Sequence, residues 1–197
     1  MTSAILNKID QQPIGWVFNA TDFLSFAKRN TIDQTLSRIA KTNKIIKVAT
    51  GLYCIPDRHP LIGEIPAKID DIVQVYAKKH GYQVQVSPAK AANLLGLSQQ
   101  VPSKYFYITN APSRKLEVNG IEVNLTHVCP KKLVGVGTKA GLIIQALYSF
   151  GKDRVNDETI DKLKNMVDST DIKNLKTWMD LTPYWMQSVI KEVVADV

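Results

Sequence analysis

Apolar positions along the first sixty residues switch between helical and strand spacing, and the switches predict a sequence of small elements. In "TSAILNKIDQQP", Ile5, Leu6 and Ile9 share one face of a short helix that stops before Pro13, because a residue preceding proline is pushed out of the α region. "GWVF" reads as a short strand. "NATDFLSFAKRN" reads as a second helix, with Asn19 as N-cap, Asp22 in the first turn, and Ala20, Phe23, Phe26 and Ala27 on one face. A third helix is expected from Thr31, which stands at capping-box spacing from Gln34. Its buried stripe is Ile32, Leu36, Ile39 and Ala40, and its outward face presents Thr31, Gln34, Arg38, Lys41 and Thr42, with Thr35 on the flank. Two strand-like runs, Ile45–Val48 and Leu52–Ile55, then meet through Thr50-Gly51 as a hairpin.

From Pro56 to Pro66, three prolines and a glycine in eleven residues mark a domain boundary. Beyond it come a helix in "DDIVQVYAKKHG", a strand in "YQVQVS", and a helix in "PAKAANLLGLS" with proline at its first turn. "KYFYITN" and the pair flanking Asn119-Gly120 predict an antiparallel run, and four helical segments fill Gly137 to Val197. The expected fold class is therefore α+β. Residues 1–58 have the order of a winged helix-turn-helix, and residues 59–197 that of a mixed α/β domain with a small antiparallel sheet and a helical C-terminal end.

Charge sharpens this picture. The net +7 is the sum of +4 over residues 1–60 (8 basic, 4 acidic), +6 over 61–152 (11 and 5) and −3 over 153–197 (6 and 9). Such a split suits a chain that meets a polyanion with one side. Between Lys28 and Thr50 there are six lysines and arginines and one acid, Asp33. Gln34 and Arg38 are the residue types that pair with base edges in a major groove, Thr31 and Thr35 can contact base or phosphate, and Lys28, Arg29, Lys41, Lys44 and Lys47 suit phosphates. A merely solvated face, or a protein-interaction module, is the alternative. The composition is that of an ordinary globular protein. With no leader pattern and no apolar run of membrane-spanning length, a cytoplasmic location is expected.

Other candidate chemistry is thin. "GVGTKAG" satisfies GxGxxA with Gly135, Gly137 and Ala140, but Pro130 and two lysines stand between the preceding strand and the glycines, so it reads as a turn into a helix with Lys139 solvated. His59, His80 and His127 show no metal-binding spacing, Cys54 and Cys129 are isolated and read as small buried side chains, and no serine has a nucleophile context. No catalytic residue, metal or cofactor is expected, and the chain is not read as an enzyme. The aromatics Tyr105 to Tyr107 and Tyr184-Trp185 read as core packing.

The combination of "ATGLYCIP" (residues 49–56), "SPAKAANLLGLSQQVPSKYFYITN" (87–110) and "SRKLEVNGIEVNLTHVCPKKLVGVGTKAGLIIQALYSFGKD" (113–153) resembles the AbiEi-like antitoxins of bacterial abortive-infection, type IV toxin–antitoxin systems. The resemblance implies a winged helix that binds inverted repeats in its own promoter and represses the operon. It also implies a second domain that counteracts a nucleotidyltransferase-like toxin, with or without a stable complex. The protein would be a monomer in solution or a dimer on DNA. Arg114, Lys131, Lys132 and Lys139 would form a second basic surface, facing toxin or DNA, if they converge. A repressor sensing a small ligand, and an enzyme binding a nucleotide through the GVGTKAG loop, are the competing readings.

Overall fold

The computed structural model describes residues 2–195, so the expected continuation of the last helix into residues 196 and 197 lies outside the described residues. The chain forms two compact units, one of residues 1–82 with 116–122 and the other of residues 83–115 with 123–197. It is a mixed α and β protein, and none of its described helices is long and apolar enough to cross a membrane.

The first unit opens with α1 (Thr2–Asp10) and β1 (Val17–Phe18), followed by a single 3-10 turn at Ala20–Phe23. Asn19 caps the turn as expected and, with Asp22, forms a reciprocal capping box, but the expected second α-helix does not continue past it. Lys8 Nζ donates to the Asp22 carbonyl, the acceptor an α-helical Phe26 would use, and the Phe26 N–H bonds instead to the Phe23 carbonyl. Helix α2 (Arg29–Lys41) therefore starts two residues before Thr31, with Lys28 as an N-cap that makes no side-chain bond. Thr31 lies inside the helix and cannot cap it.

Strands β2 (Ile46–Ala49) and β3 (Leu52–Cys54) form the hairpin, and β1 adds to the far side of β3, giving the antiparallel order β1-β3-β2. Ile5, Ile9, Phe18, Phe23, Ile32, Leu36, Ile39 and Ile45 pack into one core under these elements. Phe18 meets Phe23 edge-on at 5.6 Å, while Trp16 stacks on Phe18 at 4.5 Å, geometries that add to plain area burial.

The Pro-rich segment that marked a boundary at 58/59 lies inside the first unit. Its prolines and glycine punctuate a small hairpin, β4 (Asp57–His59) with β5 (Gly63–Ile65), and α3 (Ile69–Lys79) follows and packs on β1.

In the second unit, β6 (Val84–Val86), β7 (Tyr105–Thr109), β8 (Arg114–Val118) and β9 (Ile121–His127) form a sheet in the order β6-β7-β9-β8. The sheet is mixed, not antiparallel as expected, because β9 inserts beside β7 and runs parallel to it, Tyr105 opposite Val123 through Thr109 opposite His127. The far end of the β8–β9 hairpin, residues 116–122, belongs to the first unit. Helix α4 (Pro88–Leu94) packs on α5 (Lys139–Phe150), and α6 (Asp157–Met166), α7 (Ser169–Trp178) and α8 (Tyr184–Val193) close a core around Ile143, Ile144, Leu147, Leu163, Leu175 and Met186. Cys54 is buried, and burial pushes its thiol pKa up; Cys129 is exposed, against the expectation that both are buried.

Candidate nucleic-acid interface

Helix α2 has two opposed faces. At about 100° per residue, Ile32, Thr35, Leu36 and Ile39 fall on one arc, and all four are buried. The opposite arc carries Asn30, Gln34, Ser37, Arg38 and Lys41, all exposed. This corrects the sequence reading at both margins. Thr35 is 5% exposed, and its hydroxyl donates to the Thr31 carbonyl at 2.8 Å, so it takes no part in the outward face. Thr31 is half-buried, whereas Asn30 and Ser37 belong on the exposed arc, and their helical positions were available to reveal it.

The cations differ in what already holds them. Arg29 is paired with Asp33 one turn later at 3.0 Å, and Lys44 with Asp10 at 2.8 Å. Lys28, Arg38, Lys41 and Lys47 are exposed and make no ion pair among the described residues. An exposed ammonium or guanidinium with no internal partner keeps its full capacity to displace counterions from a polyanion.

Three contacts shape the ground around α2, none of them legible in the sequence. Two residues past the end of α2, Asn43 takes the left-handed conformation at φ 57°, and Arg58 Nη2 donates to its carbonyl. Lys79 Nζ, at the last residue of α3, donates to the carbonyls of Thr50 and Gly51 in the β2–β3 turn, each at 3.4 Å. The Asn119 N–H donates to the Val48 carbonyl of β2 at 3.0 Å. The Asn119-Gly120 pair signalled a turn correctly, with φ of 51° and 74°, but gave no sign that its backbone would meet β2.

The second set of candidate cations is divided by local bonding. Lys139, expected to be solvated, forms ion pairs with Asp171 at 2.8 Å and Asp168 at 3.6 Å and donates to the Met166 carbonyl. The Asp171 hydrogen bond raises its pKa most. Lys132 Nζ sits 5.8 Å from the Tyr148 ring centre, Lys131 beside it is exposed, and Arg114 Nε reaches the Pro112 carbonyl at 3.4 Å. Lys139 thus serves the helix packing of its own unit.

The GVGTKAG glycines have a packing explanation. Thr138 caps α5 by accepting from the Gly141 N–H at 3.0 Å and donates its hydroxyl to the Gly135 carbonyl at 2.7 Å. A Cβ on Gly141 would collide with the Gly135 carbonyl, and one on Gly135 would collide with the Trp178 ring. Among the histidines, His59 Nδ1 accepts from the Leu61 N–H, His80 lies between Tyr76 and Tyr82, and His127 Nδ1 lies 3.1 Å from the Ala111 carbonyl. No cluster of three or more His, Cys, Asp or Glu side chains suited to a metal occurs among the described residues.

No curated protein matches the chain. A family model does match, over residues 4–175, and the chain belongs to that family, the family of unknown function DUF6088.

Proposed function

We propose that the first unit is a winged helix-turn-helix that binds double-stranded DNA, with α2 in the major groove and the β2–β3 hairpin as the wing. The observation that carries this reading is a set of exposed basic side chains outside any ion pair among the described residues. The outward arc of α2, opposite its buried stripe, bears Arg38 and Lys41, and β2 bears Lys47, all three exposed and without ion pairs among the described residues. Gln34 and Arg38 on that arc offer the donors and acceptors that read adenine and guanine edges, while Lys28, Lys41 and Lys47 suit phosphates.

The resemblance of residues 49–56, 87–110 and 113–153 to AbiEi-like antitoxins extends the proposal: the protein represses its own promoter at inverted repeats and counteracts a nucleotidyltransferase-like toxin encoded beside it. It acts in the cytoplasm, without a catalytic role of its own.

Fluorescence-anisotropy titration with the DNA upstream of this gene and with scrambled DNA, over a salt series, tests the DNA half. Wild type is expected to prefer the upstream DNA and to lose affinity steeply with salt, and Gln34→Ala/Arg38→Ala to lose the preference. Equal weak binding to both DNAs by wild type would overturn it. Co-expression with the neighbouring gene product tests the antitoxin half, which fails if growth arrest is unrelieved.

A further inference from the structure

The β2–β3 turn is held from outside its own hairpin at two points. Ile46 stands opposite Cys54 and Lys47 opposite Tyr53, but the register slips between Lys47 and Ala49, so that Ala49 faces Leu52 and Val48 is bulged out of the ladder. The bulged Val48 has its carbonyl engaged by the Asn119 N–H at 3.0 Å. At the tip, the Thr50 and Gly51 carbonyls converge on Lys79 Nζ, both at 3.4 Å. The fit at Gly51 is close. Its φ is +65°, and a Cβ there would lie 2.8 Å from the Lys79 nitrogen. A short hairpin of three and four residues has little pairing of its own, so contacts from neighbouring elements decide where its tip points.

We propose that Lys79, with the Asn119-Gly120 turn, is a positioning residue that fixes the β2–β3 turn and so sets the reach of Lys47 to a DNA phosphate. This rests on the DNA-binding reading above. Lys47 lies on the strand that both contacts hold, one residue before the bulge and three before the clamped turn, and its side chain is exposed and has no ion pair among the described residues. Without Lys79 the turn carbonyls lose their donor, the tip and the strand leading into it are free to move, and Lys47 on that strand no longer meets a phosphate at fixed distance. Lys79 itself is half-buried beside Arg29, and burial lowers its pKa, which fits an internal strut better than a phosphate ligand.

A double-mutant cycle on the upstream DNA separates the alternatives. In the wild-type background, Lys47→Ala is expected to remove one phosphate contact. The affinity ratio between 50 and 200 mM salt then shrinks by about threefold, for a slope change of about 0.9. In the Lys79→Met background, Lys47→Ala is expected to change neither affinity nor slope, and Lys79→Arg, which keeps a donor at the turn, is expected to restore the Lys47 effect. If Lys47→Ala costs the same in both backgrounds, the positioning role is wrong while DNA binding stands. If the Lys79→Met and Lys47→Ala slope losses add, Lys79 is itself a phosphate ligand and the positioning role is again wrong. Equal weak binding of wild type to upstream and scrambled DNA would instead remove the DNA reading on which the inference rests.

Discussion

Lys139 Nζ lies 2.8 Å from the carboxylate of Asp171, a side chain only 7% exposed at the start of α7. The same ammonium reaches Asp168 at 3.6 Å, the residue that caps α7 reciprocally with Asp171. One lysine at the first turn of α5 thus fastens α5 to the N-terminus of α7, and its removal would leave the buried Asp171 without the ammonium that pairs with it.

Lys139→Met is accordingly expected to lower the midpoint of thermal unfolding at pH 7. The Asp168 carboxyl is held below its ordinary 3.8, first by the Asp171 N–H and then by Lys139. A depressed carboxyl contributes stability that is present above its unfolded value and lost as pH falls through its folded value. The gap between wild type and variant should therefore narrow below pH 3.8, and a gap that is constant down to acid would show that the pair does not act electrostatically.

Gly141→Ala tests the packing explanation of the glycine-rich loop. In an unhindered helix the change would gain about 1 kcal/mol. Here the new methyl meets the Gly135 carbonyl, and overpacking of about 1–3 kcal/mol should outweigh the propensity. Urea denaturation should give a lower midpoint than wild type, whereas an unchanged or higher midpoint would mean that the loop yields.

Gln85 on β6 is 3% exposed, and neither its amide nitrogen nor its amide oxygen has a hydrogen-bond partner among the described residues. A buried amide without partners costs about 1–3 kcal/mol. Gln85→Met keeps the volume and removes the polar atoms, so its unfolding midpoint should rise. A fall would reveal that the amide is bonded in solution.

Thr35→Val tests the boundary of the α2 surface. The hydroxyl bonds inside the helix to the Thr31 carbonyl, so DNA affinity should stay within about twofold while stability changes by about 1 kcal/mol or less. Loss of discrimination comparable to that of Gln34→Ala would place Thr35 on the reading face and contradict its burial.

The sequence by itself determined the local units. The 3.6-residue recurrence of Ile32, Leu36 and Ile39 committed one face of α2 to the core and left Gln34, Arg38 and Lys41 outside. Asn19 with Asp22, Pro88 at the start of α4 and Asn119-Gly120 announced a cap, a helix start and a turn, because each is satisfied by atoms within a few residues. What the tertiary structure decided depends on partners far along the chain. Lys8 taking the Asp22 carbonyl stops the second helix, β9 inserting beside β7 makes the sheet mixed, and Asp171 pairs with Lys139, a cation expected to be solvated. Lys79 reaches the Gly51 turn across 28 residues. Periodicity and capping record energies between near neighbours, whereas these contacts exist only once folding has brought separate elements together.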